Sequence, residues 1–251
     1  MLHMDNATQN NRYSGFTLID LLVVIAIIAF FAACVTPNHS NAKKQTQGAS
    51  CLGNLKKLQI AWQMYADDNA GRLPINASDG NGAFAASPPN SWVTGDAKLG
   101  TNEADIRNGT IFRYDRDTRI YRCPSDLSLV YQSTLPRLRS YSMNAWLSGM
   151  PESPVNYSQV STPSQVFVLL DEEENSIDDG FFLIRYSPDS TWPNMPSDRH
   201  ACGANLSFAD GHCERYGWKA PKHFAGLYLH TSSPADAADL AKLQAALPIL
   251  P

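Results

Sequence analysis

From Phe16 to Val35 the chain is an almost unbroken apolar run, GFTLIDLLVVIAIIAFFAACV counted from Gly15, with Thr17 and Asp20 as its polar interruptions. At a rise of ~1.5 Å per residue, a helix over this run reaches ~30 Å, about the hydrocarbon thickness of a bilayer. The pattern predicts a membrane-spanning helix over 16–36, ended or kinked by Pro37. The periodicity then changes. Cys51, Leu55, Leu58, Trp62 and Tyr65 recur at i, i+4, i+7, i+11 and i+14, the spacing of one face of an amphipathic helix. Asn69-Ala70-Gly71, with Pro74 beyond, reads as its stop, so a second helical region is expected over 37–72.

The remainder, 73–251, reads as one globular domain of short elements. Residues 74–109, including SDGNGAFAASPPN, are rich in Gly, Ala, Ser, Asn and Pro and predict a surface loop. Strand-like runs follow at IYRC (120–123), SQVFVLLD (164–171) and GFFLIRY (180–186). NLSFADGHCERYGW (205–218) alternates around Asp210-Gly211, a hairpin turn signal. The tail PADAADLAKLQAAL predicts a short helix before Pro248. A long N-terminal helix, half apolar and half amphipathic, followed by a small antiparallel sheet is an α+β layout.

A net charge of −4 argues against a polyanion-binding surface, and the local Lys43-Lys44 and Lys56-Lys57 pairs read as a solvated helix face. Nucleic acid is therefore not an expected partner. One of the five cysteines, Cys34, lies in the apolar run; an even number, Cys51, Cys123, Cys202 and Cys213, remains. If the domain is exported, two disulfides are expected; in the cytosol the thiols stay reduced.

Asp20 needs a reason, because an ionisable group is costly in lipid unless it meets a counter-charge. A snorkelling side chain at the helix start is one reason. A secretory signal peptide fits poorly, since Arg12 is the lone basic residue before the run and Asp5 offsets it. A lipoprotein signal ending at Phe31-Ala32-Ala33-Cys34 is a rival, although the usual Leu three residues before the Cys is missing. Gly15 followed by Phe16-Thr17-Leu18-Ile19-Asp20-Leu21-Leu22-Val23-Val24 closely resembles the prepilin cleavage and methylation signature of type IV pilins and type II secretion pseudopilins. The resemblance covers a small part of the chain, but its motif is long and specific. It implies cleavage between Gly15 and Phe16 by a prepilin peptidase that then methylates the Phe16 amine. It also implies polymerisation with other pilin-like subunits, Asp20 pairing with the N-terminal amine of a neighbour. The usual residue at that place is Glu, one methylene longer.

On this resemblance, 1–15 is a cytoplasmic leader, 16–36 a single-pass inner-membrane and assembly helix, 37–72 a stalk helix and 73–251 a periplasmic domain. CLGNLKKLQIAWQMYADDNAGRLP, YRCPSD, SYSMNAWL and the His200-x9-Asp210-Gly211 spacing further resemble a subgroup of large pilin-like proteins of planctomycete and verrucomicrobial bacteria. That resemblance implies a structural role for His200, hydrogen-bonding backbone or Asp210 to fix the hairpin. It also implies disulfides joining Cys51 to Cys123 and Cys202 to Cys213.

The residues also bear on other chemistry. His200, Cys202, His212 and Cys213 are zinc-type ligands, but in no known module spacing. Asp171, Glu172, Glu174, Asp178 and Asp179 offer hard oxygens suited to Ca²⁺ without an EF-hand register; otherwise no cofactor is expected. No nucleophile elbow, phosphate-binding glycine loop or HExxH helix occurs, so catalysis is not expected. Trp92 and Trp192, in Pro- and Ser-rich surroundings, would suit sugar stacking if exposed and would otherwise be core. An exported binding module, on Cys34 or on a pilin-type anchor, is thus the alternative to a structural subunit.

Overall fold

The computed structural model describes residues 17–35, 39–80 and 84–250, with side chains given for 17–30, 46–80 and 84–250. The chain divides into a unit ending at Lys43 and a unit beginning at Lys44.

The first unit contains helix α1 (Leu18–Val35). No Gly or Pro interrupts it, and its apolar residues lie on every side rather than in a stripe. Among the described residues, no helix is long and apolar enough to cross a membrane. The described side chains of α1 stop at Phe30, ~20 Å along the helix against the ~30 Å of a hydrocarbon core.

Helix α2 (His39–Asp68) carries the amphipathic stripe. Cys51, Leu55, Leu58 and Trp62 are fully buried, and Tyr65 packs at the edge of the same cluster. The helix ends where expected: Gly71, with φ of +79°, donates its N–H to the Ala66 carbonyl at 2.8 Å, an arrangement that favours glycine.

A five-stranded sheet runs in the order β3-β1-β2-β5-β6. Its strands are β1 (Tyr141–Asn144), β2 (Phe167–Asp171), β3 (Phe181–Phe182), β5 (Gly203–Phe208) and β6 (Cys213–Gly217). All neighbours are antiparallel except β3, which lies parallel to β1 at the edge. A separate ribbon pairs β4 (Thr191–Trp192) with β7 (Leu229–His230). Short helices α3 (Ala104–Arg107) and α4 (Phe112–Asp115) precede the sheet, and α5 (Pro234–Gln244) closes the chain. Ser233 caps α5 by accepting from the Asp236 N–H, and Pro234 sits at its first position.

Both faces of the sheet are covered, so β2 is buried at every position instead of alternating. On one face Tyr141, Met143 and Val168 pack with Leu55, Leu58 and Trp62 of α2. On the other, Phe167, Leu170, Leu206 and Phe208 pack with Leu240 and Leu243 of α5 and with Trp192. The α2 face also carries polar ties. Ser207 Oγ donates to Gln59 Oε1 (2.8 Å), Asn205 Nδ2 to the Gly48 carbonyl (3.1 Å), Gln63 Nε2 to the Ala209 carbonyl (3.2 Å) and Lys56 Nζ to the Gly211 carbonyl (2.6 Å).

The fold is the expected α+β arrangement, with local differences. Asp210-Gly211 does turn the β5–β6 hairpin, Gly211 taking a φ of +97°. Residues 118–121 form a 3-10 turn, not a strand, because Asp117 accepts the Arg119 N–H and caps it. The strand expected over 180–186 shrinks to two residues, since the Leu183 N–H turns away to Asn194 Oδ1 (2.9 Å). Residues 74–109 lack long elements, yet they are not merely surface. Trp92 is fully buried, stacks on Tyr121 and donates from Nε1 to the Gly180 carbonyl at 2.9 Å. Trp192 is likewise core. Neither indole can stack on a sugar, which removes the residues that had suggested carbohydrate binding.

Candidate functional site

Among the described residues, ionisable groups stand beside apolar surroundings in several places, two of which hold expected site residues. The first is the start of α1. Thr17 precedes the helix and Asp20 lies in its first turn. The Asp20 carboxylate accepts from the Thr17 N–H (2.9 Å) and from Thr17 Oγ1 (2.7 Å), while the Asp20 N–H donates back to Thr17 Oγ1 (3.3 Å). This is a reciprocal capping box: it satisfies two donors that a helix start leaves without partners. The negative group also sits at the positive end of the helix dipole. Around it the helix offers only hydrocarbon: Leu18 is 75% exposed, Leu22 57% and Ile28 61%. Gly15 and Phe16, the expected cleavage and methylation residues, lie outside the described residues, as does the side chain of Cys34.

The second place is a buried polar cluster in the globular unit, where four distant segments meet. Cys51 comes from the packed face of α2, Cys123 follows the 3-10 turn, Asp171 ends β2, and His200 stands just before β5. Their ligating atoms all lie within 4.8 Å of one another. His200 Nε2 is 3.1 Å from Asp171 Oδ2 and 3.3 Å from Cys123 Sγ. Tyr141 donates its hydroxyl to Cys51 Sγ at 3.2 Å, and Ser197 Oγ donates to Asp171 Oδ2 at 3.0 Å. Arg199 brackets the carboxylates, 3.1 Å from Asp126 and 3.6 Å from Asp171.

Burial and partners together set the direction for His200, Cys123 and Asp126. For His200, burial favours the neutral ring, but the contacts with Asp171 and Cys123 outweigh it and raise the pKa to about 9. The neighbouring Cys51 thiol, together with burial, pushes the Cys123 thiol up. For Asp126, burial is overcome by Arg199 and by hydrogen bonds from Ser128 and Ser140, so its carboxyl is held low.

The expected site residues distribute unevenly. Cys51 and Cys123 are brought together, as a link between stalk and sheet requires, though both are free thiols. Cys202 and Cys213 are also free and cannot pair. Cys213 lies opposite Ser207, and Cys202 precedes Gly203 at the other end of the ladder, ~17 Å away at ~3.3 Å per residue. The same separation breaks up the grouping of His200, Cys202, His212 and Cys213. His200 does not reach Asp210, whose carboxylate instead accepts from His212 Nδ1 (2.6 Å) and the His212 N–H (3.1 Å). The His212 ring stacks on Phe208.

The acidic run does not form one cage. Asp171 belongs to the cluster above. Glu172 is buried beneath Ser176 and Asn194, both of which donate to it, and burial raises it to about 8. Glu174 is half-exposed beside Arg199. Asp178 accepts from the Ala85 and Asp179 N–H groups, and Asp179 from the Phe181 N–H. The loop is organised on Arg139, which donates to the backbone carbonyls of Asp178 and Asp179.

No family model matches the chain, and no solved structure matches it significantly. Curated relatives do. A type II secretion system core protein G from Aeromonas hydrophila is 36% identical over 61 residues, 24% of this chain and 43% of that protein. The protein of the same name from Dickeya chrysanthemi is 30% identical over 115 residues, 46% of this chain and 63% of the relative. The major component of the type IV wide pilus of Thermus thermophilus is 44% identical over 55 residues, 22% of this chain and 42% of that protein. The chain thus spans about half the length of the curated relatives it matches.

Proposed function

We propose that this pilin-like chain is a structural subunit, made as a precursor, cut after Gly15 by a prepilin peptidase, methylated at Phe16, and polymerised into a type IV pilus or a type II secretion pseudopilus. The observation that carries the reading is the combination at α1. The helix is apolar on all sides and exposed along its described length, and it begins at a carboxylate held in a capping box. An all-round apolar helix needs lipid before assembly and neighbouring helices after it. In this reading α1 anchors the subunit in the inner membrane, and the globular unit faces the periplasm. Its partners are the peptidase and other pilin-like subunits, and its role is structural, not catalytic. No resident cofactor enters the reading; calcium at the acidic run would be detected as a rise in thermal stability on adding the ion.

Asp20 then has two separable jobs. Locally it caps α1; between subunits its charge meets the amine of a neighbouring Phe16, where a desolvated cation and anion offset each other's cost. Asp20→Asn keeps an acceptor for the Thr17 N–H but removes the charge. It is expected to be processed normally and to be lost from filaments, measured by mass spectrometry of the mature N-terminus and by incorporation into sheared or cross-linked assemblies. An N-terminus of N-methyl-Phe16 is the expected mass. An acylated Cys34 would instead identify a lipoprotein, and normal incorporation of Asp20→Asn would eliminate the charge-pairing role.

A further inference from the structure

We propose that Cys51, Cys123, Asp171 and His200 are the four ligands of a structural transition-metal site, and that zinc is the ion their chemistry fits. The two sulfurs, the carboxylate oxygen and the imidazole Nε2 lie within 4.8 Å of one another, and all four residues are buried. Bonds of ~2.0–2.3 Å place the ligands of tetrahedral zinc about 3.3–3.8 Å apart. Two of these separations already stand near that size, at 3.1 Å between Asp171 and His200 and 3.3 Å between His200 and Cys123. Small side-chain shifts close the remainder.

The donor set selects the ion. Thiolate, imidazole and one carboxylate suit zinc; calcium and magnesium take oxygen ligands instead. Four protein ligands leave no open position, so the site is a clamp and not a reaction centre.

The surroundings are those of a metal-bound anion. Tyr141 donates to the Cys51 sulfur, the Ser125 N–H to the Cys123 sulfur (3.4 Å) and Ser197 to the Asp171 carboxylate. Hydrogen bonds of this kind orient ligands and hold their charge. Two thiolates and a carboxylate around a divalent ion leave one net negative charge, and Arg199, shared between Asp126 at 3.1 Å and Asp171 at 3.6 Å, stands beside it. Binding releases the two thiol protons and, at neutral pH, the proton carried by His200 as well, because the ring binds as neutral imidazole. A depression lined by Asn54, Arg122 and Cys123 and another lined by Gly48, Leu52 and His200 give the ion two approaches.

The competing use of these sulfurs is a Cys51–Cys123 disulfide. A disulfide is apolar and would leave the Asp171 carboxylate and the His200 imidazole buried against it, with only each other, Ser197 and Arg199 as partners. A metal gives both side chains a function there.

The test uses the full chain in detergent, isolated with thiols blocked at lysis and, in parallel, under reducing conditions. Reducing preparations are expected to carry ~one zinc per chain by plasma mass spectrometry. After exchange with cobalt chloride they should show thiolate-to-cobalt charge transfer and the visible bands of a tetrahedral ion. Cys202→Ser, outside the site, should keep the metal; Asp171→Asn and Cys51→Ser should lose it. The wild-type measurements decide the matter even if those variants misfold. A peptide map joining Cys51 to Cys123 in the thiol-blocked sample overturns the proposal. So does a reduced chain that binds neither zinc nor cobalt, or one that binds cobalt without thiolate charge transfer.

Discussion

Helices α1 and α2 follow one another in the chain and both are rich in large apolar side chains, but their surroundings are opposite. In α2, Leu55, Leu58 and Trp62 have no exposed surface; in α1, Leu18, Ile19 and Leu22 are each more than half exposed. A helix with one apolar stripe is satisfied by its own domain, whereas a helix apolar all round needs cover on every side. The apolar residues of α2 therefore stabilise the fold, whereas those of α1 are left exposed for the surroundings that the proposed function gives them.

Paired truncations test that division most directly. Leu58→Ala should cost the globular unit ~2–5 kcal/mol through lost transfer energy and a residual cavity, lowering its denaturation midpoint. Leu22→Ala should shift the same transition by no more than ~0.5 kcal/mol. Equal losses would erase the distinction between the helices.

The packed unit also holds carboxylates that it cannot hydrate. Burial, and then the charge of Asp178, raises Asp179 from 3.8 to about 6. A carboxyl with a raised folded pKa favours folding when protonated, below the unfolded value, and loses that contribution as pH climbs through about 6. The difference amounts to about 1–3 kcal/mol. Asp179→Asn, which keeps an acceptor for the Phe181 N–H, should flatten the stability profile between about pH 4 and 6 and raise stability at neutral pH. A wild-type profile already flat over that range, followed by chemical denaturation, would contradict it.

The smallest effect belongs to the start of α1. Thr17→Ala removes one half of the capping box and should weaken the first turn by ~1 kcal/mol. Faster amide exchange at Leu21 in detergent micelles, with the globular transition unmoved, is the expected signature.

Much of this layout is legible from local pattern. The α2 stripe, the β2 run, the Asp210-Gly211 turn and the Pro234 helix each follow from residues close in sequence. The Thr17-x-x-Asp20 spacing is also a local helix-start signature, although the apolar run around it makes the charge of Asp20 the more prominent feature. His200 was not. Its partners lie at 171, 123 and 51, and no local spacing connects them; only the stacking of α2 on the sheet brings them together. Trp92 misleads for a similar reason: its Pro- and Ser-rich neighbours suggest surface, but the carbonyl that receives its indole N–H is at Gly180. Composition reports where chain is irregular, and irregular chain can still fill a core.

The four polar ties between α2 and the β5 hairpin have a mechanical consequence. Gly48, Lys56, Gln59 and Gln63 are spread along one helix, and their partners, Asn205, Gly211, Ser207 and Ala209, are gathered at one strand and its turn. A pull along the helix axis loads these bonds in shear, together with the buried stripe beneath them, so they share the tension and do not open one at a time. Under such a pull the sheet would move with α2 as one body.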